Sequence, residues 1–316
     1  MKSTLDTYIA SRRQFLLVAA ALAATGATAR SKAMAEEASK NVVGGNGVTI
    51  ATGTFGDPSA PPVLLIMGAM ASMLWWPDEF CRKLAERGRY VIRYDNRDTG
   101  LSTKYAPGNP PYSMEDMAGD AVAVLDAYGV ASAHVVGMSL GGMIAQILAL
   151  SAPERVSSLT LVSTTPIGLE LELPPISAAY MEHAAAAESL DWSDRAQVID
   201  FMAKDARIVA STAHAHDADW IRAFVERDYD RSAGLLSATN HFMLQGGGTV
   251  KGKLKSLEAP LLVFHGTTDP IFSVEHGLAI ADAVPGSEFI AITGGGHELH
   301  RDDWGIIIPA IVKHTE

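Results

Sequence analysis

The sequence predicts an α/β domain in which a mostly parallel central sheet is flanked by helices and interrupted by one helical insertion. Three observations carry this reading. From residue 48 onward, short β-branched or aliphatic runs alternate with longer amphipathic segments, the pattern of strand-helix-strand units. Several runs are apolar without alternation, as strands covered on both faces require. Residues 166–250 then break the rhythm with an Ala-rich, Trp-containing, locally acidic stretch that has helical periodicity and no convincing strand.

The elements follow in order. Residues 48–55 alternate polar and apolar side chains and stop at Gly56-Asp57-Pro58, as an edge strand ending in a turn would. Residues 63–67 are continuously apolar and suit a strand buried on both faces, and 90–94, 133–137, 159–163, 261–265 and 288–292 repeat the pattern. Helical segments at 117–128 and 140–150 separate neighbouring strands. The insertion at 166–250 lies between two core strands, with Leu173-Pro174-Pro175 near one end and Gly246-Gly247-Gly248 near the other. It divides the core into 36–165 and 251–316. At 48% hydrophobic and 19% charged, the 316 residues hold enough apolar material for a sizeable core. No internal repeat is visible.

The first 35 residues read as a targeting peptide rather than as fold. Ser11-Arg12-Arg13-Gln14-Phe15-Leu16 resembles the twin-arginine export motif of bacteria, in which a receptor reads the paired arginines. The uncharged stretch 15–29 is Ala-rich and falls short of the roughly 20 strongly apolar residues that span a bilayer, so no stable membrane anchor is expected. Small-x-small sites end at Ala29 and Ala35. The break to Glu36-Glu37 favours cleavage after Ala35, and hence a periplasmic or secreted protein whose precursor meets the twin-arginine machinery. The formal charge is -11, and removing this basic segment makes the remainder more acidic still. Such a surface repels phosphate backbones, which argues against nucleic acid as a partner. Cys81 is the only cysteine, so no intramolecular disulfide can form.

Gly137-Met138-Ser139-Leu140-Gly141 carries the chemistry. A Gly-x-Ser-x-Gly between a predicted strand and a predicted helix is the context of a nucleophile elbow, where side chains two positions either side of the serine would collide with it. The following helix is apolar nearly all round apart from Gln146, so it should be buried with its N-terminal amides toward the serine. A serine hydroxyl needs a base, and at such elbows the chain order is Ser, acid, His. Asp269 follows the strand 261–265, at the strand C-terminal end where open α/β sheets form their sites. His297 follows the strand 288–292 through Gly294-Gly295-Gly296, a pliable loop that can bring an imidazole to a serine on another strand. An oxyanion hole needs two backbone amides. Leu140 is expected to supply one, and Ala69, in the loop after strand 63–67, the other. Met70, Trp75, Trp76 and Met138 lie in segments that should flank the site and are expected to line an apolar, adaptable pocket. This chemistry needs no cofactor and no metal.

Ten histidines compete for the role of base. His300 lies close to His297, but the glycine run points to the latter. His214-Ala215-His216-Asp217 is similar to part of a metallohydrolase ligand cluster, yet Asp219 stands where the next ligand histidine would be. His134 and His265 sit at strand positions and read as core or supporting residues. Asp95 and Asp98 precede Ser139, the wrong order for the acid.

From about residue 42 onward the chain resembles the α/β-hydrolase superfamily, and within it the aclacinomycin methylesterase group. Trp76-Pro77-Asp78-Glu79-Phe80, Tyr94-Asp95-Asn96-Arg97-Asp98-Thr99-Gly100-Leu101-Ser102 and His134-Val135-Val136-Gly137-Met138-Ser139 are similar to that group's strings, as is Met67-Gly68 where many relatives have His-Gly. The resemblance implies cofactor-free ester hydrolysis by Ser139, Asp269 and His297. The compositional break at 166–250, where similarity to that group is least, is read as a helical cap that shapes substrate choice without supplying the triad. The expected substrate is a small to medium apolar carboxylic ester, a class that includes methyl esters and lactones. Two other readings keep the fold: the same triad used for perhydrolysis or carbon-carbon bond hydrolysis, and a non-catalytic ligand-binding member. Ser139 at the elbow argues against epoxide hydrolases and haloalkane dehalogenases, which carry Asp there.

Overall fold

A computed structural model describes residues 38–43 and 47–316; residues 1–35, read from the sequence as a targeting peptide, lie outside the described residues. Eight strands form one sheet: β1 (Ala38–Val43), β2 (Thr49–Phe55), β3 (Pro62–Ile66), β4 (Tyr90–Tyr94), β5 (Ala133–Met138), β6 (Val156–Val162), β7 (Leu261–Gly266) and β8 (Glu288–Ile292). Their spatial order is β1-β2-β4-β3-β5-β6-β7-β8. β1 and β2 run antiparallel to their neighbours, and all pairs from β4 to β8 are parallel. The predicted edge strand at 48–55 is corrected by this arrangement. β1 pairs along it from Ala38 opposite Thr54 to Val43 opposite Thr49, and β2 is buried over all but its first residue.

The other strands alternate between two cores. On β3, Leu64 and Ile66 enter one apolar cluster while Val63 and Leu65 enter the other, and on β7 Val263 and Phe264 divide likewise. Helices α2 (Met114–Ala127), α3 (Leu140–Ser151) and α7 (Val274–Ala283) cover the first face; α1 (Asp78–Ala85) and α8 (Trp304–His314) cover the second. A parallel sheet buried on both sides needs this double cover, which is why its strands read as unbroken apolar runs. α2 begins at Met114, before the predicted 117, because Ser113 and Asp116 form a capping box: Ser113 Oγ accepts from the Asp116 amide and Asp116 Oδ2 from the Ser113 amide.

Between β6 and β7 the chain leaves the sheet and forms α4 (Ala178–Ala185), α5 (Arg195–Ile208), α6 (Ala218–Ser232) and a 3-10 segment at Leu236–Met243, with no strand among the described residues. Asp194 and Asp217 cap α5 and α6, each accepting backbone N–H bonds in the first turn.

Candidate active site

Ser139 sits between β5 and α3 with φ 54 and ψ -122. This is a conformation L-residues avoid, of order 1–3 kcal/mol uphill, so the surroundings must impose it. Its amide donates to the Val162 carbonyl at 3.0 Å, and its carbonyl accepts from the Gly142 amide at 2.8 Å and from Thr164 Oγ1 at 2.7 Å. The flanking glycines work differently from the expected relief of collision with the serine. A Cβ on Gly137 would lie 2.3 Å from the Gly141 carbonyl oxygen, and one on Gly141 would lie 2.2 Å from that of Ile66. They let β5, α3 and the end of β3 approach one another. The glycine that touches the serine is Gly68, where a Cβ would stand 3.1 Å from Ser139 Cβ.

His297 Nδ1 lies 2.7 Å from Asp269 Oδ2. The other carboxylate oxygen accepts from the amides of Ile271 at 2.8 Å and Phe272 at 2.9 Å. Burial works to raise the Asp269 carboxyl, but the charge and hydrogen bond of His297, with help from His265 and the Phe272 amide, leave it below the usual carboxylate range. Asp269 therefore stays ionised opposite the imidazole. His265 Nε2 donates to the Phe272 carbonyl at 2.7 Å, and burial lowers its pKa, so this neutral ring props the loop that carries Asp269.

His300 is not directed at Asp269; its Nδ1 accepts from the Asp302 amide at 3.2 Å, and its ring stacks on His214. Ligand atoms of His214, His300 and Asp302 lie within 4.8 Å of one another. The two rings are stacked at 4.4 Å and 16°, so their in-plane lone pairs run side by side rather than converging on one point. His214 Nε2 meets Asp303 Oδ1 at 2.8 Å, and that hydrogen bond raises the pKa of the histidine.

Of the two expected oxyanion donors, neither the Ala69 nor the Leu140 amide has a protein acceptor among the described residues. Leu140 is the first residue of α3, where no carbonyl precedes it in the helix. The expected pocket residues separate. Met70 is at the margin of burial, and Trp75 is half-buried, edge-on to Phe224 at 4.8 Å with Nε1 donating to Asp228 Oδ2 at 2.8 Å. Met138 and Trp76 lie in the core, Trp76 with 0% exposure and tilted against Phe80; a ring with no exposed surface cannot line an open pocket. A cavity of about 610 Å³ opens instead between α1, the start of α6 and the segment 298–304, and neither Ser139, Asp269 nor His297 lines it.

An elbow serine, a histidine bound to an aspartate, and two amides without a protein acceptor among the described residues all follow the C-terminal ends of parallel strands; no hydrogen bond joins Ser139 to His297 among the described residues. A family model described as alpha/beta hydrolase fold matches residues 61–303. The chain belongs to the α/β-hydrolase fold family. Among its relatives, rhodomycin D methylesterase DauP of Streptomyces sp. strain C5 is 32% identical over 284 residues, which span 85% of this chain and 95% of that protein. A putative carbamate hydrolase RutD of Caulobacter segnis is 27% identical over 264 residues, 80% of this chain and 91% of its own. A solved structure described as Est816, an N-acyl homoserine lactone degrading enzyme, superposes with a TM-score of 0.62 at 27% identity, covering 82% of this chain and 93% of that one.

In this α/β hydrolase the insertion is fastened to the loops that bear Asp269, His297 and Ala69, and sequence reading missed these fastenings. The Ser177 amide donates to the Pro270 carbonyl beside Asp269, and the His297 amide to the Val209 carbonyl at the end of α5. Arg231 grips both oxygens of Asp95, at 3.1 and 2.8 Å, while Asp95 also accepts from the Met73 amide in the loop that leads from Gly68 to α1. Asp205 on α5 takes a hydrogen bond from Tyr180, and burial pushes its carboxyl up to about 6 against the pull of the nearby His297 charge. Asp95 and Asp98, passed over as the acid, anchor this assembly: Asp98 accepts from Tyr112 and Asn240. No local signal marks these bonds between the insertion and the core, because their members lie from 88 residues apart, His297 with Val209, to 142 apart, Asn240 with Asp98.

Proposed function

We propose that this protein is an exported serine hydrolase that cleaves small to medium apolar carboxylic esters, methyl esters foremost, through an acyl-enzyme on Ser139. The observation that carries the reading is the 2.7 Å bond from His297 Nδ1 to the buried Asp269 carboxylate, in a chain whose only Gly-x-Ser-x-Gly serine is held in an elbow. Asp269 fixes the tautomer that leaves His297 Nε2 free to take a proton. Ser139 Oγ attacks the ester carbonyl carbon as His297 takes the hydroxyl proton, and the amides of Ala69 and Leu140 stabilise the oxyanion. The imidazolium then protonates the departing alcohol. A water molecule, deprotonated by His297, cleaves the acyl-enzyme and restores Ser139.

The methyl-ester preference rests on likeness to DauP, whose name makes it a methylesterase, and lactones are included through the likeness to Est816. The insertion serves as a cap over the site, and Met70 and Trp75 supply an apolar wall. Export rests on Arg12-Arg13 and the Ala-rich segment behind them. A fluorophosphonate probe tests the reading directly. Purified mature protein should label at Ser139 and hydrolyse members of a methyl ester and lactone panel, and the Ser139→Ala protein should do neither. Unlabelled, inactive, folded wild type would refute it.

A further inference from the structure

The loop expected to supply an oxyanion donor is held in shape by a residue of the insertion. Met70 adopts φ +61, a left-handed conformation that a residue with a side chain takes only under constraint. Its amide donates to Nδ1 of His241 at 3.1 Å, and the other nitrogen of that ring, Nε2, lies 2.7 Å from the Arg97 carbonyl. One hydrogen-bond donor and one acceptor on opposite sides admit a single form of the imidazole: a lone pair on Nδ1 and a proton on Nε2. The other tautomer fails at both ends. An imidazolium would set Nδ1–H against the Met70 N–H.

The surroundings favour that neutral form. His241 is 5% exposed, and burial lowers its pKa, outweighing the Arg97 carbonyl and the Asp98 charge, which both act to raise it. The charged groups around it are already committed. The Arg97 guanidinium is bidentate with Asp120, and Asp98 is occupied by Tyr112, by the Tyr105 amide and by Asn240, the residue before His241. Asn96 ties the same loop to the Met67 carbonyl at 2.9 Å. With Met70 turned toward His241, Ala69 N–H has no protein partner among the described residues, one residue after the glycine that touches Ser139.

We propose that His241 is a positioning residue for acyl transfer, fixing Met70 in its left-handed turn as the neutral Nε2–H tautomer and so aiming the Ala69 amide at the oxyanion. This role rests on the serine-hydrolase reading above. It also makes the insertion part of the catalytic apparatus, since the oxyanion loop keeps its shape only with the 3-10 segment Leu236–Met243 in contact.

Two substitutions separate positioning from general packing. In His241→Asn the side-chain oxygen replaces Nδ1 and keeps the Met70 bond. In His241→Gln the longer amide reaches the Arg97 carbonyl and leaves Met70 without an acceptor. Loss of an oxyanion donor costs on the order of 100- to 1000-fold in kcat. The Gln variant should therefore lose about 100-fold in kcat with KM little changed, and the Asn variant should stay within about tenfold of wild type. Equal losses in both, losses confined to KM, or wild-type kcat in the Gln variant would overturn the proposal. A second measurement needs only folded wild type. The imidazole 15N shifts of His241, assigned by their loss in either variant, or by selective labelling if neither folds, should report the Nε2–H tautomer from pH 6 to 8; an imidazolium or an Nδ1–H ring there would overturn it too. Fluorophosphonate labelling of wild-type Ser139, run alongside, tells failure of the hydrolase reading from failure of this one.

Discussion

Replacing Asp269 by Asn changes almost no volume, and the geometry fixes what it does to the base. The carboxylate uses both oxygens: Oδ1 accepts the amides of Ile271 and Phe272, and Oδ2 accepts from His297 Nδ1. Asparagine has one oxygen. Turning its NH2 toward the two amides would forfeit two hydrogen bonds, about 1 kcal/mol each, and leave buried donors facing donors. The oxygen should therefore stay where Oδ1 is, which points the NH2 at His297 Nδ1. That nitrogen must now accept, so the ring proton moves to Nε2 and the base for Ser139 is lost. In an unrelated serine protease the same change lowers kcat about 10⁴-fold, which is about 5 kcal/mol of barrier. We expect a loss on the order of 10⁴ here, against on the order of 10⁶ for Ser139→Ala or His297→Ala, with the double Ser139→Ala, His297→Ala protein scarcely worse than either. The assay is kcat on a chromogenic short-chain ester, with folding checked by circular dichroism. Folded Asp269→Asn protein turning over within tenfold of wild type would refute the tautomer argument, and loss in His300→Ala with none in His297→Ala would move the base.

Further outcomes follow from other contacts. Gly68→Ala sets a methyl group 3.1 Å from Ser139 Cβ and 3.6 Å from its Oγ, so kcat should fall about tenfold or more while the melting temperature scarcely changes, and unchanged kcat would mean the loop yields freely. Arg97 and Asp120 are each about 2% exposed, so Arg97→Met should destabilise by about 3–5 kcal/mol in urea titration, and adding Asp120→Leu should restore much of it. Asp205 titrates near 3.8 when unfolded and about 6 when folded, so the folded chain binds this proton more tightly; the stability this gives is complete below 3.8 and is lost as pH rises through 6, by up to about 3 kcal/mol. Asp205→Asn should then raise the melting temperature at pH 7.5 and not at pH 4.5, and an equal gain at both would contradict it. Arg12→Lys with Arg13→Lys keeps charge but removes the receptor-read pair, so precursor should accumulate in the cytoplasm, whereas normal export would point to another route.

Much of the fold was legible because its signals are local. Strands buried on both faces read as apolar runs, so 90–94 was read to the residue and β3, β5 and β7 to within one at either end; 288–292 was also read to the residue, although this last strand of the sheet is exposed at Glu288 and Ala291. β1 was not legible: Ala38-Ser39-Lys40-Asn41-Val42-Val43 has neither an apolar run nor strict alternation, and its strand state comes from pairing with β2. The Asp269–His297 pair was reachable because each residue follows a strand end, His297 through a run of glycines. Trp76 shows the limit of composition, since a tryptophan near a site reads the same whether it lines a pocket or fills the core. His241, Arg231 and Asp205 were out of reach for a different reason. Met70 and His241 are 171 positions apart, and a contact of that span leaves no period or motif behind.

These long-range contacts also change what the insertion can be expected to do. A cap that only selects substrates could be altered freely, its mutations reordering esters while turnover persists. Here the insertion supplies the acceptor for the His297 amide at Val209, the donor to the Pro270 carbonyl at Ser177, the ion-pair partner of Asp95 at Arg231 and the acceptor for the Met70 amide at His241. Lifting it as a rigid lid would break all four at once and leave buried Asp95 without its cation. Substrate is thus better admitted by small movements at one margin than by a swing of the whole insertion. Substitutions should accordingly fall into two groups: at exposed Trp220 or Met181, which hold none of these loops, changes should reorder ester preference, while at Arg231 or His241 they should lower kcat for every ester alike. A uniform drop from Trp220→Ala, or a pure change of preference from Arg231→Met, would mean that the insertion and the reacting groups are less tightly joined than these bonds imply.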